Sequence, residues 1–153
     1  MGVLSLQQLL GNLPELSAWP EIADVFQRAP EGSHPDWQLP ALACQAVGGS
    51  EAAGLAGMAA IACSQMSIIL VDDMLDADPR GEHHRRGYGP TANLALALQA
   101  AAFRLVEQAA VSSQQLTAAT NCLAHLNLAT AAGQHLDVQN RGGEEDYWQI
   151  IQA

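Results

Sequence analysis

Three aspartates at the end of a long apolar run are the residues of this chain best suited to chemistry. Asp72, Asp73 and Asp76 follow an almost uninterrupted apolar stretch from Leu55 to Val71. In a helix, which turns by about 100° per residue, Asp72 and Asp76 point within about 40° of each other, and Asp73 falls about 60° to the other side of Asp76. All three can therefore face one cavity. Because neighbouring carboxylates raise one another's pKa, the cluster indicates a bound cation or nearby arginines.

Positive charge is concentrated beside these aspartates. All six basic residues of the chain are arginines, and three of them, Arg80, Arg85 and Arg86, lie within seven positions. A guanidinium group can bind phosphate or carboxylate oxygens through two parallel hydrogen bonds. The arginines therefore predict either an anionic ligand or a network of salt bridges at the end of the apolar run.

Length and composition predict a single folded domain, 1–153, made of helices. The chain has 153 residues, of which 49% are hydrophobic but only 5% are aromatic. This length is enough for a sizeable core. Alanine and leucine dominate and favour helices, whereas strands would need more β-branched and aromatic residues. The sequence therefore predicts an all-α fold.

The charge of the chain argues against two classes of partner. The formal net charge is −10, and so acidic a surface repels nucleic-acid phosphates and anionic membranes. The apolar run 55–71 is shorter than the roughly 18 to 20 residues that a membrane span requires. Residues 1–10 lack the basic start of a signal peptide. We therefore expect no nucleic-acid partner and no integral membrane segment.

The three cysteines, Cys44, Cys63 and Cys122, lie far apart among alanines and leucines. Their odd number and wide spacing favour buried, reduced thiols over a disulfide framework or a metal site. Reduced thiols are typical of the cytosol, so we expect a cytoplasmic protein.

Capping and breaking residues predict about seven helices joined by short connections, which is typical of an antiparallel bundle. Ser50 is expected to cap the central helix and Ser112 a later one, because each hydroxyl can accept a hydrogen bond from a first-turn amide. Prolines and glycines define two loops, 29–40 and 77–89. The predicted helices cover approximately residues 5–11, 18–28, 40–47, 51–76, 90–110, 113–138 and 144–153.

Three landmarks in this order resemble a known family. The pattern Asp-Asp-x-x-Asp at 72–76, followed by Arg85-Arg86-Gly87 and Pro90-Thr91, resembles the first aspartate-rich motif of the trans-isoprenyl diphosphate synthases, the polyprenyl synthetase family. Gly133-Gln134-x-x-Asp137 and then Tyr147-Trp148-Gln149-Ile150-Ile151 resemble its next landmarks. The resemblance covers residues 40–153. It implies the N-terminal half of an antiparallel helical bundle of the isoprenoid synthase type, assembled as a homodimer.

The resemblance also implies a chemistry and a set of roles. Such enzymes use Mg²⁺ to bind an allylic prenyl diphosphate and condense it with isopentenyl diphosphate. Magnesium suits a site with one or two carboxylates because phosphate oxygens and waters complete its coordination. By resemblance, Asp72 and Asp76 are the metal ligands and Asp73 supports them. Arg85 binds the allylic diphosphate, and Arg86 binds the homoallylic one. Gln134 and Asp137 face the cavity from another helix.

Two departures from the family pattern leave alternatives open. The family has a Gly-Lys-Arg-x-Arg-Pro element before Pro40, but this chain has Pro35-Asp36-Trp37-Gln38-Leu39 there, so the basic site for isopentenyl diphosphate is missing. The alternative is a divergent or non-catalytic relative, or a partner subunit, that binds prenyl diphosphate only; a helical scaffold with an acidic loop is a third. The second departure is the loop between Asp76 and Arg85, which is longer than is usual in the family and carries His83-His84. These histidines are either solvated or join the aspartates at a zinc ion.

Overall fold

The structure is a computed structural model that describes residues 3–17, 19–28, 35–110, 112–139 and 148. Within these ranges every regular element is a helix, which confirms the all-α prediction. A short 3-10 helix, Pro35–Gln38, precedes the fourth α-helix. The α-helices are α1 (Val3–Gly11), α2 (Pro14–Ser17), α3 (Pro20–Arg28), α4 (Leu39–Ala46), α5 (Glu51–Leu75), α6 (His83–Arg86), α7 (Tyr88–Ala109) and α8 (Ser113–Val138).

The centre of the fold is the packing of α7 against α5, which share the most extensive contact between any two described elements. Small residues such as Ala59 and Ala62 on α5 are fully buried and let α7 approach closely. Larger apolar side chains on α7, including Leu98 and Leu105, fill the space between the helices. Leucines of α1 and the apolar face of α3, with Phe26 buried at its centre, close the core on one side.

Local signals fix the end of α4 and the start of α5. The Ala53 amide donates to the Ser50 hydroxyl at 3.2 Å, so Ser50 caps α5 as predicted. Upstream, α4 ends at Gly48, which has a φ of 77°. The Gly49 amide donates to the Cys44 carbonyl at 2.8 Å, and this pattern with a left-handed glycine is a Schellman ending. These two ends set where α5 starts and hence which residues reach its aspartate-rich end.

Both predicted loops are shorter than expected. Of the range 29–40, residues 29–34 lie outside the described residues, Pro35–Gln38 form a 3-10 helix, and Leu39 already begins α4. The range 77–89 contains the helical turn α6, and α7 begins at Tyr88. Gly87, with a φ of 86°, separates these two helices, because a left-handed backbone is available to glycine at little cost. The helix predicted from 144 lies outside the described residues.

The central helix is long and apolar enough to cross a membrane. It has 25 residues and includes an 18-residue window with a mean hydropathy of 1.8, so the sequence argument from the length of the run 55–71 was wrong. Burial bears on the question more directly, because 61% of that window is enclosed by the rest of the fold. The core helix of a helical bundle has the same length and composition.

The last described long helix, α8, is far less enclosed than the other two. Of its 26 residues only Leu123 and Gly133 are buried. It rests on α5 and α7 through a narrow line of contacts. Its Cys122 thiol is exposed, which corrects the expectation of three buried thiols, whereas Cys63 on α5 is buried as expected.

Candidate active site

A pocket of about 370 Å³ opens between α5, α7 and α8. This volume lies in the range of small-molecule sites. Most of its wall is hydrocarbon, and four of the ten lining residues have polar side chains. The lining residues are Ser67, Ile68 and Val71 on α5, Ala92, Ala95, Leu96 and Gln99 on α7, and Asn127, Ala131 and Gln134 on α8.

Asp72 lies at the edge of this pocket and is joined to α8. The Nε2 of Gln134, a pocket-lining residue, donates to the Oδ1 of Asp72 at 3.1 Å. The structure therefore brings together two predicted site residues that are 62 positions apart in the chain. Because Asp72 is exposed, its second carboxylate oxygen remains open to a ligand.

Asp76 keeps its helical relation to Asp72. The Asp76 amide donates to the Asp72 carbonyl at 2.9 Å, and both side chains are exposed. One helical turn therefore separates two accessible carboxylates. Asp137 lies on α8, one turn after Gln134, and is exposed.

Asp73 has a different environment from the other two aspartates. It is half-buried against the loop after α5, where its Cβ would lie only 3.0 Å from a Cβ added at Gly81. Burial raises the pKa of the Asp73 carboxyl, and the charges of Asp78 and Asp72 raise it further, although His83 and Arg80 oppose them. Asp73 therefore packs on the loop, whereas Asp72 contacts the pocket-lining Gln134.

The neighbouring Asp78 is held in its charged form by that same loop. The Arg80 guanidinium donates to both carboxylate oxygens of Asp78, at 3.1 and 2.7 Å. This hydrogen bonding lowers the pKa of Asp78 to about 2. Arg80 is thereby committed to the loop and supplies little charge to a ligand.

The described donor side chains do not complete a metal site by themselves. Among the described residues, no three His, Cys, Asp or Glu side chains come close enough together to hold a metal ion by themselves, so a closed zinc site with His83 or His84 has no support there. Asp72 and Asp76 instead offer two accessible carboxylates, and Mg²⁺ commonly takes one or two carboxylates and fills its other positions with water and phosphate oxygens.

His83 is the least satisfied polar residue of this region. Its side chain is buried, and neither ring nitrogen has a hydrogen-bond partner in the described part of the chain. The ring lies between those of His84 and Tyr88, with centroid distances of 4.1 and 4.7 Å. His83 is therefore enclosed by its surroundings, so the solvated alternative does not hold for this histidine.

The two site arginines contact acidic side chains instead of the pocket. Arg85 Nη1 lies 3.0 Å from Glu82 Oε1, and Arg86 Nε lies 2.8 Å from Glu82 Oε2. Arg86 also forms an ion pair with Asp24 on α3. Burial works against the charge on Arg86, but Glu82 and Asp24 outweigh it and raise its pKa. Of the two alternatives in the sequence, the salt-bridge network is the one that the structure contains.

Sequence reasoning missed two groups of residues near the site. One is a pair of polar contacts near the pocket, in which Ser64 Oγ lies 2.6 Å from Asn127 Oδ1 and Ser67 Oγ lies 2.5 Å from Gln99 Oε1. The isolated glutamine within the alanine and leucine run of α7 is the signal that could have indicated it. The other is Asp24, which no local pattern connects to Arg86.

The described geometry thus combines an apolar pocket, an accessible carboxylate pair at the end of α5, and two arginines held by acidic partners. Only the first two features lie in contact, through Gln134. No protein-family model matches this sequence, and no curated protein and no solved structure matches it significantly.

Proposed function

We propose that this chain provides the magnesium and allylic diphosphate site of a prenyltransferase, which condenses an allylic prenyl diphosphate with isopentenyl diphosphate. The observation that supports this best is the position of Asp72, which Gln134 holds at the edge of an apolar pocket, with Asp76 one turn further along α5. The diphosphate headgroup of a prenyl diphosphate would then lie at the carboxylates, and its hydrocarbon tail would lie in the apolar pocket. The homodimer implied by the resemblance and the cytoplasmic location expected from the reduced thiols belong to this proposal.

The carboxylates would act on the headgroup. Mg²⁺ held by Asp72 and Asp76 would stabilise the negative charge that grows on the departing diphosphate. Gln134 would keep Asp72 oriented by donating to one oxygen, which leaves the other for the ion. Asp137, one turn along α8, would face the same headgroup, and Arg85, which is exposed, would contribute positive charge to it.

The pocket would hold the tail. Ile68, Val71 and Leu96 line it together with three alanines, and each methylene group transferred from water to such a surface contributes about 0.8 kcal/mol. The same walls would keep water away from an allylic cation, which water would otherwise trap. Ser67 and Gln99 add polar surface to this lining.

The direct test is magnesium-dependent binding of geranyl diphosphate, measured by calorimetry. We expect the Asp72→Ala/Asp76→Ala variant to bind at least about tenfold more weakly, because it removes both carboxylates. A matched control, Glu15→Ala/Glu107→Ala, removes the same charge from exposed positions on α2 and α7. Chelation of magnesium should weaken binding to the wild-type chain but not to the double aspartate variant. Equal binding by all three proteins, with or without chelator, would refute the assignment.

A second candidate is a relative that binds the allylic diphosphate without condensing it. Where the family places a basic element, this chain packs a 3-10 helix onto α5: Gln65 Nε2 donates to Asp36 Oδ2 at 2.8 Å, and the Trp37 indole donates to the Gln65 side chain. An acidic residue at this place disfavours a second diphosphate.

Titration with isopentenyl diphosphate separates the two candidates. Binding of geranyl diphosphate with no detectable binding of isopentenyl diphosphate would favour the second candidate. Binding of both, followed by formation of a longer prenyl diphosphate, would favour the first.

A further inference from the structure

An ion-pair cluster joins α3 to the arginines after the aspartate-rich end. Asp24 lies on α3, and Glu82 lies directly before α6; we call this pair the acid clamp. Both carboxylates of the acid clamp contact Arg86, whose side chain is only 17% exposed. Arg28 on α3 also contacts both acids. The cluster is the main polar link between α3 and the segment that carries Arg85 and Arg86.

The acid clamp engages two of the three guanidinium nitrogens of Arg86, which are the groups that would also bind a diphosphate. A guanidinium group binds carboxylate and phosphate oxygens through the same geometry. Nε of Arg86 is engaged by Glu82, and Nη2 is engaged by Asp24. The two carboxylates of the acid clamp thus contact the Arg86 guanidinium as the oxygens of a diphosphate would. An anion at Arg86 therefore either displaces one of these acids or shares the guanidinium with both of them, close to their negative charge.

The two acids differ in what controls their position. Glu82 is four residues before Arg86 on the same short segment and moves with it. Asp24 is 62 residues away, on a helix anchored by the buried side chains of Ile22, Val25 and Phe26. The position of α3 therefore decides whether Arg86 keeps its second acidic partner.

There is open space beside Arg86. A hollow of about 260 Å³ is bordered by Arg86, by Trp19 and Glu21 near the start of α3, and by Pro90, Asn93 and Leu94 at the start of α7. An anion could approach the guanidinium from this side without moving the core. Glu21 adds a further negative charge to this wall, which opposes the approach while α3 is in place.

We propose that Asp24 competes with diphosphate for Arg86, so that α3 sets the affinity of the site for its anionic substrate. This inference rests on the proposed function, because it takes Arg86 as the residue that binds the homoallylic diphosphate, the role that the family resemblance implies. The acid clamp keeps the arginine oriented in the absence of ligand, and it weakens the binding of any anion that offers fewer contacts than it replaces. Loss of the contact between Asp24 and Arg86 raises the affinity of Arg86 for a diphosphate.

The test uses inorganic pyrophosphate with excess magnesium at fixed ionic strength, and calorimetry as the readout. Asp24→Asn keeps the shape of the side chain and leaves Glu82 on Arg86. We expect this variant to bind pyrophosphate about three- to tenfold more tightly than the wild-type chain. The control Glu107→Gln removes one charge from an exposed ion pair with Arg104 on α7, and it should bind like the wild-type chain.

A double variant shows whether the gain acts through the arginine. In Asp24→Asn/Arg86→Ala the gain should disappear. Equal affinity of Asp24→Asn and the wild-type chain, or an equal gain in Glu107→Gln, would overturn the proposal. Circular dichroism verifies that each variant is folded, and if Asp24→Asn is not, Asp24→Ser tests the same contact, with the same two outcomes.

The result separates this proposal from the proposed function. If the wild-type chain binds pyrophosphate through Asp72 and Asp76 but Asp24→Asn brings no gain, only the role of Asp24 is wrong. If neither the wild-type chain nor Asp24→Asn binds magnesium pyrophosphate, both proposals fail. Binding that appears only in Asp24→Asn would support the competition most strongly.

Discussion

Two kinds of wall enclose the pocket, and they are held in place in different ways. The α5 and α7 walls belong to the most extensive contact of the described fold, with side chains such as Ala59 and Leu98 fully buried. The α8 wall belongs to a helix of 26 residues, in which only Leu123 and Gly133 are buried. Exposed apolar residues on α8 include Leu128, which is 72% exposed.

The difference indicates where the pocket can change its width. Segments with few buried contacts open at a lower free energy than a packed core does. The α5 and α7 walls should therefore stay fixed while α8, with Gln134 and Asn127, adapts to a ligand. The hydrogen bond between Gln134 and Asp72 then connects the movable wall to the fixed one.

The largest expected effect comes from truncating the same residue type in both walls. Leu98→Ala on α7 removes a fully buried side chain and should lower the free energy of unfolding by about 2 to 5 kcal/mol. Leu128→Ala on α8 removes an exposed one and should change it by less than about 0.5 kcal/mol. Urea unfolding followed by circular dichroism measures both. Comparable losses would show that α8 is packed as firmly as α7.

A medium effect comes from removing the two caps. Ser50 accepts from the Ala53 amide and Ser112 from the Gln115 amide, each at 3.2 Å. Loss of either cap costs about 1 kcal/mol. We expect Ser50→Ala to shift the global urea midpoint, whereas Ser112→Ala should instead speed amide hydrogen exchange in the first turns of α8. Ser113→Ala, next to the cap, is the control for the loss of a hydroxyl. A global shift in both cap variants would contradict the comparison.

The smallest expected effect on stability comes from removing one carboxylate charge at the end of α5 and, for comparison, one on α8. The pKa of Asp73 is raised, mainly by burial, so its charged form destabilises the fold at neutral pH. Asp73→Asn should therefore raise Tm by about 1 °C at pH 7 without magnesium, whereas Asp137→Asn on exposed α8 should not.

The pH dependence gives the sign of this effect. A raised pKa in the folded state means that wild-type stability falls as pH increases from the ordinary aspartate pKa of 3.8 through the raised value. Below 3.8 the wild-type carboxyl is protonated, so the advantage of Asp73→Asn should vanish there. An advantage that persists at pH 3 would assign it to packing instead of charge.

Local features of the fold were predictable from the sequence because they depend on neighbouring residues only. Ser50 and Ser112 cap helices through contacts with residues three positions away, and Gly48 ends α4 by adopting a left-handed backbone. The end of α5 near Asp76 was predicted for the same reason. Proline was less reliable as a loop signal at Pro35, which begins a 3-10 helix. Pro90, the predicted start of a helix, lies in the first turn of α7, where proline loses no hydrogen bond.

Features that depend on distant residues were not predictable. Helical periodicity placed Asp73 with Asp72 and Asp76, but the packing of the loop around Gly81 decides its environment. The pairing of Arg86 with Asp24 requires the position of α3, which no spacing in the sequence encodes. The contact between Asp72 and Gln134 was anticipated through the family resemblance, not through physics.

The exposed thiol on α8 gives the less anchored wall a natural attachment point. Cys122 is exposed, Cys44 is half-buried, and Cys63 is enclosed in the core, where burial raises the pKa of its thiol. Thiolate is the form that reacts with maleimides, so a fluorescent maleimide should label Cys122 first without any engineered cysteine. A dye at that position would report directly, by its anisotropy, on how far a bound lipid-like ligand immobilises α8.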